Sequence, residues 1–188
     1  MAAKVIHPDF TSPGEISLWP ELDHSNVMPV LDIIRREKVD IFLMPCHPKC
    51  LINVLLEWHA GAPRYSPQFF HMTVGWIKDM FQGLDYLHLY GMCHLDLKID
   101  NLLITAKNIA VICDFSALDK ADKPTNKYAL PQYYCPPEAW PESLHDEHPP
   151  VNGVEFDVWS AGMVIFYIFC NRWMERHLWG KTKWMYEI

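Results

Sequence analysis

Two short polar motifs bracket an apolar stretch in the middle of this 188-residue chain, and that arrangement narrows what it can fold into. The first motif is His94-Leu95-Asp96-Leu97-Lys98-Ile99-Asp100-Asn101, and the second is Asp114-Phe115-Ser116. Between them, Leu102 to Cys113 reads as two short apolar strands around a polar turn at Lys107-Asn108, the pattern of a hairpin. A hairpin returns its two ends to one place. It would set Asn101 beside Asp114, a neutral and a charged oxygen able to share one hard cation such as Mg²⁺. An isolated His-x-Asp or Asp-Phe-Ser carries no information. The ordered pair with an apolar hairpin between its members does.

These two motifs resemble the catalytic loop and the metal-binding segment of protein kinases, whose patterns read H-R-D-L-K-x-x-N and D-F-G. The resemblance continues in Tyr134-Cys135-Pro136-Pro137-Glu138, similar to the Ala-Pro-Glu motif that closes a kinase activation segment. Asp157-Val158-Trp159-Ser160-Ala161-Gly162 is similar to the start of the central helix of the large lobe. The resemblance covers nearly all of residues 1–170 and is most specific over 84–162. It implies an α+β, bilobal fold with an incomplete small β lobe and a partial, mainly helical large lobe. Residues 1–188 would be one kinase-like domain. Within it, 1–45 would form a partial small lobe that starts at the family's third strand, and 46–188 a partial large lobe, with the boundary near Pro45 to Cys50.

The resemblance also implies an activity: transfer of the γ-phosphoryl group of ATP to Ser or Thr hydroxyls of a protein substrate, with Mg²⁺. Asp96 would accept the hydroxyl proton, Lys98 would reach the transferring phosphate, and Asn101 and Asp114 would hold the metal. Lys98 favours Ser/Thr over Tyr specificity. Met1 to Ile6 resembles the V-A-I-K strand, which makes Lys4 the nucleotide lysine and Glu15 its partner on the helix that follows. By position Met44 resembles the gatekeeper behind the adenine pocket, Cys46 belongs to the hinge, and Leu103 is the apolar floor under the base. Trp19, Val30, His94 and Phe115 match the stacked apolar spine of the kinase core. Asp157 would anchor the backbone of the catalytic loop.

The local pattern supplies the elements. Pro13 can start a helix and Pro20 should end it, so the helix that carries Glu15 is expected to be short. Val27 to Ile34 and Val39 to Met44 read as strands joined by the charged turn Arg35-Arg36-Glu37-Lys38. Phe70, Val74, Ile77, Phe81, Leu84 and Leu87 recur at helical spacing and predict a long core helix before the catalytic loop. Ala161 to Cys170 is apolar except at Tyr167, as a helix buried on all sides should be. At that length it is too short for a membrane span, which needs about 20 residues.

Several departures from the family pattern set further expectations. No G-x-G-x-x-G occurs among the eight glycines, and nothing before Lys4 could form the strands that carry a phosphate lid. Only Trp173 to Ile188 follows the central helix, so the helices that complete the large lobe are expected to be missing, and Glu138 has no evident arginine partner. Leu95 replaces the arginine that clamps an activation-segment phosphate, so phosphorylation of Thr125 or Tyr128 should not switch the protein by the usual route. Ser116 replaces a glycine and restricts rotation of Phe115. Pro131 stands where Ser/Thr kinases carry a threonine. These departures keep a second reading open: a weakly active or inactive kinase-like scaffold, or part of a longer kinase.

Composition bounds the partners. The charge of −7 argues against nucleic acid and anionic membranes as default partners. Half of the residues are hydrophobic and 21% are charged, which suits one packed domain. No apolar run follows the N-terminal lysine as a signal peptide requires, and a cytoplasmic location, with nuclear access open, is expected. Cys46-His47-Pro48-Lys49-Cys50 with His59 lacks a second ligand pair for zinc. Cys113 and Cys170 sit in apolar runs that suit free buried thiols better than a disulfide framework. Trp173, Trp179 and Trp184 predict an apolar patch near the C-terminus that would serve as a partner surface.

Overall fold

The structure, a computed structural model, describes residues 1–61, 66–128, 134–139 and 148–170. Pro131, His145 and the three C-terminal tryptophans, together with the partner surface expected there, lie outside the described residues. Strands β1 (Ala2–Ile6), β2 (Asp32–Arg36) and β3 (Val39–Met44) form an antiparallel sheet in the order β1-β3-β2. Lys4 lies opposite Phe42, and Arg36 opposite Val39. Burial along β3 alternates, with Asp40 and Phe42 inside, as the two-residue period of a strand requires.

The chain between β1 and β2 makes one short helix, α1 (Pro13–Ser17). Its start is built from a capping box. Ser12 Oγ accepts from the Glu15 N–H, and the Glu15 carboxylate accepts from the Ser12 N–H. Pro13 occupies the first turn, where its missing N–H costs nothing, and a 3₁₀ turn over Trp19–Glu21, with Pro20 inside it, ends the helix as expected. The expected strand over Val27 to Ile34 is not formed as such. Pro29 offers no N–H to a ladder. The segment before it instead pairs with residue 112: the Met28 N–H donates to Ile112 O at 2.8 Å, and the Ile112 N–H to Asn26 O at 2.9 Å. The strand starts at Asp32 and runs through Arg35 and Arg36, so the turn shrinks to Glu37-Lys38.

The central hairpin is as the sequence predicts. After β4 (Lys49–Cys50) and β5 (Met92–Cys93), β6 (Leu102–Ile104) pairs with β7 (Ala110–Ile112), Leu102 opposite Ile112, and Asn108 takes the left-handed conformation at the turn (φ 62°). Strand β4 joins the far edge of β6. Two helices lie in the chain between β4 and β5: α2 (Leu51–Gly61) and α3 (Pro67–Leu89). Ser66 caps α3 by accepting from the Phe69 N–H. Polar tips tie α3 to the hairpin: Asp79 accepts from the Ala110 N–H at 2.9 Å, and Trp76 Nε1 donates to Asn108 Oδ1 at 3.2 Å.

The helix is where the periodicity placed it, and Leu84 and Leu87 are buried as expected, but before them the buried face is rotated by one residue. Phe69, Thr73, Trp76, Met80, Gly83, Leu84 and Leu87 are buried. Phe70, Val74 and Phe81 are exposed. Apolar residues populate both neighbouring rows, so spacing alone could not choose between them. The hairpin chose the row with the small Gly83, because β7 approaches there: a Cβ on Gly83 would lie 2.8 Å from both Asn26 O and Ile112 Cδ1.

Helix α4 (Gly153–Cys170) is longer than the expected apolar run and is 18 residues long. It is long and apolar enough to cross a membrane by length and composition alone. Its one buried row, Gly153, Phe156, Asp157, Ser160, Ala161, Val164 and Ile168, includes a charged side chain bonded within the protein, which marks a core helix. The expectation of burial on all sides for Ala161 to Cys170 is corrected: Gly162 and Phe166 are exposed.

Two substitutions on α3 should act with opposite signs. Gly83→Ala should destabilise by about 1–3 kcal/mol, because the methyl meets backbone and a packed side chain. Gly75→Ala meets nothing within 4 Å and should stabilise by about 0.5–1 kcal/mol. Denaturant midpoints of the two variants test both.

Candidate active site

A buried carboxylate organises the catalytic-loop motif. Asp157 is fully buried; its Oδ2 accepts from the His94 N–H and its Oδ1 from the Leu95 N–H, both at 2.8 Å. His88 Nε2 lies 2.9 Å from the same Oδ2. Leu95, between the two anchored amides, is left-handed with φ 62°. That conformation costs an L-residue about 1–2 kcal/mol and needs outside support. His94 Nδ1 accepts from the Asp96 N–H at 3.2 Å, so its Nε2 carries the hydrogen donated to Cys113 O at 3.1 Å. The imidazole thereby bridges the two motifs.

Asp96 follows, only 4% exposed. Lys98 Nζ donates to both of its carboxylate oxygens, at 3.0 and 2.8 Å. Asn101 Nδ2 donates to Asp96 Oδ2 at 3.1 Å and to Asp96 O at 2.8 Å. Both acceptors fix the amide orientation and leave Asn101 Oδ1 as an unspent hard oxygen. The Cys113 N–H donates to Asn101 O at 2.9 Å, which brings the end of β7 back to Asn101, as the hairpin argument requires.

Asp114 is left-handed as well (φ 65°) and receives Lys4 Nζ at 2.6 Å. The same Nζ reaches Glu15 Oε1 at 2.6 Å. Burial acts most strongly on the Asp114 carboxyl and would raise it, but the hydrogen bond and charge of Lys4 hold it below the ordinary value of 3.8. Burial would likewise lower Lys4, but Asp114 and Glu15 together raise it above 10.5. Gly14 lets α1 close on the segment after Asp114: a Cβ there would stand 2.0 Å from Leu118 O. Aromatic packing runs through the same junction, with ring centroids 5.3 Å apart for both Trp19–Phe115 and His94–Phe115.

The remaining predicted residues sit around this centre. Met44 ends β3 opposite Ala2, two residues along β1 from Lys4, and is half-buried. Leu103 is half-buried on β6 between the two motifs, and Cys46 is exposed. Val30 packs on the edge of the main core, whereas Phe42 stacks on Trp19 at 5.4 Å and extends the aromatic column. Sequence reading missed Phe42 and the role of His88. Cys46 and Cys50 are free thiols, and the side chain of His59 lies outside the described ones. His88, Cys93 and Asp157 come within 4.8 Å of one another, but Asp157 is already bonded by its donors. Burial and the charges of Asp157 and Asp119 push the Cys93 thiol up to about 12, which keeps it protonated. Glu138 is exposed.

Asp157→Ala should cost about 3–5 kcal/mol, the loss expected when one member of a buried charged network is removed, read as a fall in the unfolding midpoint. The Lys4 pairs give a pH signature. The depressed Asp114 contributes stability above 3.8 that is lost as pH falls through its folded value. The raised Lys4 contributes below 10.5 and loses this as pH climbs through its folded value. The gap in melting temperature between wild type and Lys4→Met should therefore be widest between about pH 5 and pH 9 and should narrow at both extremes. A gap independent of pH would refute the assignment.

Comparison with known proteins agrees with this geometry. A family model described as the protein kinase domain matches residues 2–184. The chain is 30% identical over 154 residues to mitogen-activated protein kinase mpkC of Aspergillus terreus, spanning 80% of this chain and 37% of that protein. It is 30% identical over 166 residues to serine/threonine-protein kinase NLK2 of Xenopus laevis, spanning 84% and 34%. It is 29% identical over 162 residues to sperm motility kinase 3A of Mus musculus, spanning 85% and 30%. The chain thus spans about a third of the length of these curated relatives. Its loop anchored on Asp157, its Lys4–Glu15–Asp114 junction and the match over 2–184 place the chain in the protein kinase domain family.

Proposed function

We propose that this chain transfers the γ-phosphoryl group of ATP to Ser or Thr hydroxyls of a protein. The observation that carries the reading is the convergence of Lys98 and Asn101 on Asp96, each within hydrogen-bonding distance of its carboxylate, with the backbone of Asn101 bonded at 2.9 Å to the residue before Asp114. That set holds a base, a lysine able to reach the transferred phosphoryl and a metal ligand, which favours catalysis over a non-catalytic scaffold. The names of relatives among Ser/Thr kinases, and Lys98 two residues after Asp96, support the Ser/Thr class.

The donor set suits Mg²⁺. Asn101 Oδ1 is unspent, and the Asp114 carboxyl is held ionised, so one neutral and one charged oxygen are available, with phosphate and water to complete the shell. Bound there, the ion would neutralise charge on the phosphates. The protein's own residues do the rest. Lys4, held between Glu15 and Asp114, presents an ammonium to phosphate oxygens. Asp96 can take the hydroxyl proton at a carboxylate oxygen as the hydroxyl oxygen bonds the γ-phosphorus and the bond from that phosphorus to the β-phosphate oxygen breaks, leaving ADP. Lys98, resting on that carboxylate, can swing to the transferred phosphoryl as its charge shifts. Met44, Cys46 and Leu103 would line the adenine side.

A thermal-shift titration with ATP tests the site. At 100 times its Kd, ATP with Mg²⁺ should add about 2.7 kcal/mol of stability, and EDTA or Asp114→Ala should abolish the gain. Transfer of labelled phosphate to casein should disappear in Asp96→Ala. Binding of Mg²⁺–ATP with no transfer above the Asp96→Ala background would overturn the catalytic reading.

A further inference from the structure

We propose that Leu95 is the positioning residue for Asp96, and that it acts through an apolar cluster joining the catalytic loop, residues 114–128 and 134–139, and α4. The proposal rests on the reading of Asp96 as the base.

Leu95 is fully buried despite its left-handed backbone. It belongs to a second core, separate from the main one, with Cys93, Tyr128, Cys135, Val151 and Phe156. Gly153, at the start of α4, leaves room for it: a Cβ there would lie 3.3 Å from Leu95 Cδ2 and 2.7 Å from Cys93 Sγ. The loop is thus gripped from two sides. Asp157 holds the peptide amides at Leu95, and the cluster holds its side chain. A left-handed leucine persists only where its surroundings over-determine it, and the next residue is Asp96.

The segment opposite is docked into the same cluster by its own hydroxyls. Tyr128 is 7% exposed; its ring centroid lies 5.0 Å from that of Phe156, and its hydroxyl donates to Ala139 O at 2.8 Å, with Pro149 O at 3.0 Å. Thr125 is also 7% exposed; its hydroxyl donates to Asp119 Oδ2 at 3.1 Å, and its backbone exchanges two 2.9 Å bonds with Val151. Strand β8 (Asp119–Lys120) pairs with β5, Cys93 opposite Asp119, directly before the catalytic loop. Both hydroxyls are spent inside the fold.

Glycine is at ease at φ 62°, so Leu95→Gly removes the side chain while relieving the backbone. If the side chain positions Asp96, kcat should fall at least about tenfold while KM for ATP stays within about twofold, because Lys4, Glu15 and Asp114 are untouched. Leu95→Met, which refills the volume, should recover most of the lost rate. Val151→Ala, which loosens the cluster without touching the loop, should lower kcat in the same direction. A second readout needs no turnover: trypsin should cut after Lys120 or Lys127 severalfold faster in Leu95→Gly and Val151→Ala than in the wild type. Wild-type kcat and unchanged cleavage in Leu95→Gly would overturn the proposal. If the wild type shows no phosphotransfer but both variants cut faster, the cluster is upheld and only the catalytic reading fails. Should Leu95→Gly fail to fold, Val151→Ala decides by the same two measurements.

Discussion

A carboxylate with no solvent exposure is costly to bury, and Asp157 is tolerated only because its oxygens meet donors from two other parts of the chain. His88 comes from the end of α3, and the amides of His94 and Leu95 come from the catalytic loop. Helix α4 therefore cannot dock without drawing these pieces into register. The left-handed turn at Leu95 is a by-product of that demand, since two successive amides must point at one side chain. Everything in the loop after it inherits the geometry: Asp96, the amide of Asn101 that grips it, and the imidazole of His94 that reaches across to Cys113 O.

A second junction depends on charge across a long loop in sequence. Lys4 and Asp114 are 110 positions apart, and Lys4 and Glu15 only 11. One ammonium between two carboxylates leaves net negative charge at the point where phosphates would bring more. In the proposed reaction a cation would offset that charge, and the unspent Oδ1 of Asn101 is the neutral oxygen that it would share with Asp114. Gly14 is the geometric condition for this junction, because any larger residue would push α1 off Leu118 and carry Glu15 away. The apolar side is as specific: Trp19, Phe115 and His94 pack in series, so the pairing of charges and the stacking of rings position the same residues.

Much of the site was legible before any coordinates. The hairpin could be read because its signals are local: alternating apolar residues, a polar turn, and fixed chain length between Asn101 and Asp114. The short α1 could be read for the same reason, since Ser12, Pro13 and Pro20 set its start and end through neighbours in sequence. The strand at Val27 to Ile34 could not. Whether those backbone groups pair with β3 or with residue 112 is a contest between partners distant in sequence, and Pro29 only tilts it. The buried row of α3 was missed by one residue, because two adjacent rows are both apolar and the choice lies with what packs against them. His88 and Phe42 carry no sequence mark of their roles.

What the amino-acid sequence determined alone is the family, the chemistry of the two motifs, and the elements whose signals span a few residues. Those are decided by side-chain type and by backbone preference at short range, which any reader of the chain can apply. What only the tertiary structure decided is which of several apolar faces is inside, which histidine completes the bonding of Asp157, and what stands in for the missing arginine at Leu95. Each of those depends on groups brought together from far apart in the chain, where burial and hydrogen bonding are settled by competition among many partners at once. Leu95 shows the difference most plainly. As a letter it is a departure from a pattern, and as a buried, left-handed residue between Asp157 and a second core it is a structural element of the loop.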